Sequence, residues 1–237
     1  MKKNSWNIYT LLLLAVTLTW RAGADGYEGE KWALVDAKRV LQAAKTITLT
    51  NYPDCDEATI EKRMVRVYRA DGTGECQDET YVKVLTEKGK RGNRGLSLWY
   101  MLPYSIAEAV KVEVIKPDGE VVPVDLAANT KEMIDDSQMG MNIYDPNSKV
   151  VKVNLPRVEV GDVVHSVTRT TVKRPIIPGE FADDNLFEGS GYIHHLTYEV
   201  YEPEDKPLKR IVLRDQVPGT VKHTTGKQAD NVTLHRW

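Results

Sequence analysis

Cysteine is scarce in this chain, with Cys55 and Cys76 the only two in 237 residues. That excludes the disulfide scaffold on which small secreted domains depend. Cations do not outnumber acids: 32 Lys and Arg stand against 34 Asp and Glu, spread along the chain. Such a balance offers no clustered basic face for nucleic acid. The one denser stretch, Lys88 to Arg94, is short and broken by glycine, and reads as a solvated loop. No apolar run reaches the ~20 residues that a spanning helix needs. The five histidines include no His-x-His or His-x3-His spacing. His194 and His195 are adjacent, so within a strand they face opposite ways. No metal-ligand set is in view, and no cofactor is expected.

What is present begins with an N-terminus built for export. Lys2 and Lys3 precede an apolar run from Ile8 to Trp20, and Ala22-Gly23-Ala24 supplies small residues where a signal peptidase cuts. Residues 1–24 are therefore expected to be a cleaved signal peptide, giving an exported protein, periplasmic or secreted, with no membrane span afterwards. Cleavage removes Lys2, Lys3 and Arg21 and no acid, which leaves 29 cations against 34 acids, a net charge of −5. In an oxidising compartment Cys55 and Cys76 could bridge. A hairpin over residues 60–86 would place Cys76 near Tyr68, far from Cys55, so two free, partly buried thiols are the favoured expectation.

Residues 30–45 form the one helical pattern. Trp32, Ala33, Leu34, Ala37, Val40, Leu41 and Ala44 recur at steps of three and four. From residue 60 onward period two dominates. Residues 60–69 and 81–85 flank the turn Ala70 to Gly74 as a hairpin. Residues 109–116 alternate cleanly: Val110, Val112 and Val114 face one way, while Lys111, Glu113 and Lys116 are expected to face solvent. Pro117-Asp118-Gly119 turns the chain into a short edge strand containing Pro123. Residues 126–148 read as a long irregular loop. Further strands are expected at 149–155, 163–172, 192–201, 208–214, 220–224 and 231–236. The fold class predicted is mainly β: an antiparallel β-sandwich with one N-terminal amphipathic α-helix. The expected organisation is a signal peptide (1–24), an N-terminal helix and linker (25–58) and a sandwich domain (59–237). The last of these stops inside a strand, as though more protein followed.

The order of these elements resembles domain-of-unknown-function family 3857. The residues carrying the resemblance are Tyr68 to Gly72, Asp78 to Glu87, Val112 to Val122, Asn142 to Tyr144, Leu155-Pro156, Val158 to Val164 and Tyr198 to Pro203. Their order and spacing match over roughly residues 60–236, and the helix at 30–45 looks like an addition. The resemblance implies a β-sandwich module without assigned chemistry, standing N-terminal to a transglutaminase-like domain in exported bacterial proteins. The Cys-His-Asp machinery would belong to that downstream domain, so no catalytic residue transfers to this chain.

The residues themselves agree that chemistry is hard to place. Cys55 sits among Asp54, Asp56 and Glu57, which would raise a thiol pKa rather than lower it. The acidic pairs Asp135-Asp136 and Asp183-Asp184 lack the ligand alternation of a calcium loop. If there is a binding site, it is the loop carrying Met133, Met139, Met141 and Tyr144, an adaptable apolar surface. The alternative is that these side chains plug the end of the sandwich. The chain is thus expected to be no enzyme itself. It would be an accessory domain positioning a downstream transglutaminase-like domain or its substrate, with a self-contained peptide- or glycan-binding protein as the other reading. An exposed aromatic strip including Trp99 and Tyr100 would favour the latter.

Overall fold

The computed structural model describes residues 29–237, apart from residues 190 and 230 and the side chain of Met141. The expected signal peptide lies outside these residues. Strand far outweighs helix in the described chain, and the mainly β fold class holds. Two sheets form it. The large one runs in the order β11-β12-β10-β1-β2-β8-β4-β5, with β9 also pairing with β1. Its strands are β1 (Glu57–Tyr68), β2 (Gly74–Val84), β4 (Ser105–Ile115), β5 (Val121–Pro123), β8 (Val163–Val172), β9 (Tyr192–Ile193), β10 (Leu196–Pro203), β11 (Thr224–Lys227) and β12 (Val232–Arg236). The small sheet has the order β3-β7-β6, from β3 (Gly95–Met101), β6 (Thr130–Ile134) and β7 (Ser148–Asn154). The large sheet is mixed rather than purely antiparallel, because β9 and β10 both run parallel to β1.

The large sheet is covered on both faces. On one face lie a single 3-10 turn (Glu30–Trp32), an extended stretch and α1 (Ala37–Ala44), together called the strap. The helix is shorter than the sequence pattern suggested. Asp36 caps it by accepting the Lys38 N–H, so residues 33–36 are extended instead of helical. Val40, Ala44 and Ile47 then meet Ala58, Ile60 and Tyr81 in one core. On the other face the small sheet closes a second core around Val84, Val112, Val114, Val151 and Val153. A third cluster on that face joins Met64, Tyr68, Tyr198 and Val200, with Phe181 and Phe187 from the connection after β8 packed against it. Among the described residues no helix is long and apolar enough to cross a membrane.

Several expectations change in this setting. The basic stretch holds α2 (Glu87–Gly92), capped by Thr86, whose hydroxyl accepts the Gly89 N–H. Gly89 is required there, since a Cβ would come within 2.0 Å of the Asp56 carbonyl oxygen. The supposed loop 126–148 contains α3 (Leu126–Asn129), β6 and a 3-10 turn at Asp136–Met141. The expected strand at 208–214 does not form, and Ile211, Val212 and Leu213 stand exposed with no sheet partner among the described residues. The alternation in β4 is also misread by sequence. A bulge between Ala109 and Lys111 leaves Val110 partly exposed. Glu113 is buried rather than solvent-facing, because the strap face of the sheet is covered too.

Candidate functional site

The predicted binding loop sits at one end of the small sheet. Met133 is half-buried on β6, opposite Val150 of β7, which in turn lies opposite Trp99 of β3. Met139 is exposed and Tyr144 is 65 % exposed, so neither plugs the sandwich. The side chain of Met141 is outside the described residues. Trp99 is 61 % exposed, while Tyr100 is buried in the core on the sheet's inner face. Asp135 accepts the Ser137 N–H and a hydrogen bond from Trp99, and these hold its carboxyl below the ordinary carboxylate range. Trp99, Met139, Ile143 and Tyr144 are each left exposed.

Sequence reasoning missed a second constellation, beneath the strap. Strand register places Glu61, Tyr81, His165 and Glu113 side by side across β1, β2, β8 and β4, all pointing to the strap. His165 is 1 % exposed. Its Nδ1 lies 2.7 Å from Glu113 Oε1, its Nε2 lies 3.0 Å from Glu79 Oε1, and its ring stacks on Tyr81. Glu79 uses its other oxygen to accept the Val35 N–H at 2.9 Å, which ties the imidazole to the strap's main chain. Burial opposes ionisation of Glu113, yet hydrogen bonds from Lys111 and His165 outweigh it and hold the carboxyl below the usual range. Nearby, Glu61 is buried and shared between Arg39 of the strap and His195. These polar contacts are satisfied inside a covered face, and through Arg39 and the Val35 N–H they join the strap to the sheet.

The opposite face of the same strands carries Arg66, which donates to both Asp78 and Asp183, while Tyr198 donates to Asp183. Cys76 lies directly across from Arg66. Burial pushes its thiol up to about 12, far from the thiolate a nucleophile needs. Cys55 and Cys76 are both free and half-buried. Of the remaining histidines, His194 meets the Tyr192 hydroxyl, while His235 bridges Glu202 and His223. Among the described residues no group of three His, Cys, Asp or Glu is placed to hold a metal.

The comparisons with known proteins bear on this geometry. A family model, a domain of unknown function with a solved structure (DUF3857), matches residues 70–237. The chain belongs to the DUF3857 family. The matched region starts in the β1–β2 turn, so the strap lies outside the part by which DUF3857 is recognised. A crystal structure of a candidate protease from Parabacteroides distasonis ATCC 8503 superposes with a TM-score of 0.60 at 14 % identity. The match covers 77 % of this DUF3857 chain and 35 % of that protein, so the chain spans about a third of its length. At that identity the likeness is one of fold. Two structures of the family 3a carbohydrate-binding module of scaffoldin cipA from Clostridium thermocellum align at TM-scores of 0.30 and 0.25, too low to inform the fold. They share 11 % and 12 % identity, over 56 % and 46 % of this chain and 80 % and 73 % of theirs. No curated protein matches the sequence.

Proposed function

We propose that this DUF3857 chain is a non-catalytic module of a larger exported, transglutaminase-like protein, in which it positions the catalytic domain or that domain's substrate. The observation that carries this reading is the segment Leu208 to Arg214. Its sequence is that of a strand, yet among the described residues Ile211, Val212 and Leu213 find no sheet partner, and Val212 is 55 % exposed. Val217 just beyond is exposed as well. The segment is anchored at its start. Leu208 packs on the third core and donates its N–H to Glu202, and Asp215 caps Gly219 and Thr220. Exposed β-prone residues on a segment anchored to the core are suited to being covered by another domain. The match covers only 35 % of the candidate protease, which is consistent with such a domain.

Reading the gene beyond the Trp237 codon tests this directly. A downstream domain with a Cys-His-Asp set supports the proposal, and an immediate stop codon overturns it. In the longer protein, amide exchange at residues 209–217 should slow markedly relative to the isolated chain. The second reading, a self-contained peptide- or glycan-binding protein, draws on the exposed side chains of Trp99 and Tyr144. A peptide and glycan array probed with wild type and Trp99→Ala separates it: signals that vanish with the indole favour it, and an empty array removes it.

A further inference from the structure

The strap shows how the large sheet receives an extended chain. Four main-chain groups between Lys31 and Val35 of the strap are held by sheet side chains. Gln77 donates to the Trp32 carbonyl at 3.1 Å, and Arg63 donates to the carbonyls of Ala33 and Lys31 at 2.6 and 3.1 Å. Glu79 accepts the Val35 N–H. The contacts are made to backbone, with Trp32 the one buried side chain in the track. This is recognition of polypeptide as such.

Beside the strap, on the same face, runs an open groove of about 790 Å³. Its floor is β10 and β12, with Val67, Tyr201, Val232 and Leu234 giving it an apolar base. One end is charged, and the charges there are unequally spent. Glu199 is buried, and both its oxygens are taken, one by Arg63 and one by Arg236 Nε, each at 2.7 Å. Arg236 thereby keeps the rest of its guanidinium for the groove, and Lys31 lines the same end, its ammonium 5.8 Å from the Trp32 ring centre. Among the described residues Glu30 is the only other acid lining the groove, against the three cations Lys31, Arg63 and Arg236.

We infer that this groove binds a second, separate polypeptide in extended form, one with acidic side chains between apolar ones. It lies alongside the strap, with apolar residues on the β10–β12 floor and a carboxylate on Arg236 and Lys31. A guanidinium already oriented by a buried carboxylate is a strong site for such a group. The inference goes beyond the accessory role proposed above and holds whether or not a catalytic domain lies beyond residue 237.

The test uses the chain by itself. The probe is a fluorescein-labelled nonapeptide of alternating leucine and glutamate, with glutamine and lysine analogues, monitored by anisotropy. The glutamate peptide should bind about tenfold more tightly than the glutamine one, a preference that fades as salt is raised. Arg236→Gln and Lys31→Glu should each weaken the glutamate peptide several-fold. Lys31→Glu lies on the strap surface and leaves Glu199 paired, so it remains informative if Arg236→Gln lowers the melting temperature. Lys131→Glu, the same charge change at an exposed lysine on β6 of the small sheet, should leave binding unchanged. Equal affinity for glutamate and glutamine peptides overturns the inference, as does indifference to Lys31→Glu or an equal loss of binding in Lys131→Glu.

Discussion

Both faces of the large sheet hold an apolar core, but the strap face buries charged groups beside it, and β4 shows the contrast within three residues. Val112 and Val114 enter an apolar core closed by the small sheet. Glu113, between them, enters a covered face of carboxylates, imidazole and guanidinium beneath the strap. The first face depends on shape and on the exclusion of water. The second depends on every charge having its partner, because an unpartnered buried ion costs far more than a lost van der Waals contact. Alternation along a strand therefore means two environments, and one of them need not be solvent.

The largest effect should come from forcing one face's chemistry on the other. Val112→Asp places an unpaired carboxylate in the apolar core and should cost about 3 kcal/mol or more in chemical denaturation. Glu79→Ala comes next. It strips a partner from His165 and from the Val35 N–H and should cost about 3 kcal/mol, with faster amide exchange across the strap as its signature. A small cost with the strap still protected would show that the polar face is not what holds it. Lys111→Asp should cost about 1–2 kcal/mol, above the sub-1 kcal/mol effect expected of a solvent-facing lysine, since it replaces the ammonium at Glu113 with a like charge.

The pH dependence sharpens the contrast. The folded-state carboxyl of Glu113 titrates below its ordinary value of 4.5, so its contribution is present above that pH and is lost as pH falls through the lower folded value. Glu113→Gln should flatten this acid limb of the stability curve, whereas Val114→Ala should lower the curve uniformly. Smallest of all, Val212→Ser should change the stability of the isolated chain by under about 0.5 kcal/mol, because its side chain is exposed and outside all three cores.

Much of the architecture was legible from local pattern. The β1–β2 hairpin, β7, β8, β12 and the turn at Pro117 to Gly119 all declare themselves by period two and turn chemistry. The misreadings have a common origin. Residues 208–214 have strand propensity, but a strand also needs a neighbour, and the described residues supply none. β6 was hidden because Thr130 to Ile134 mixes charge with apolar residues, as an edge strand of a small sheet tolerates. His165 gave no sign of its role, since its partners Glu79 and Glu113 are 86 and 52 residues away.

The sequence by itself determined that this is a mainly β chain, with alternation strong enough to select which residues share a face. Only the tertiary structure decided that both faces would be covered, and that strands far apart in sequence would bring two glutamates to one histidine. Periodicity is a property of neighbours a few residues apart. What lies opposite a side chain is set by pairing and packing over the whole chain.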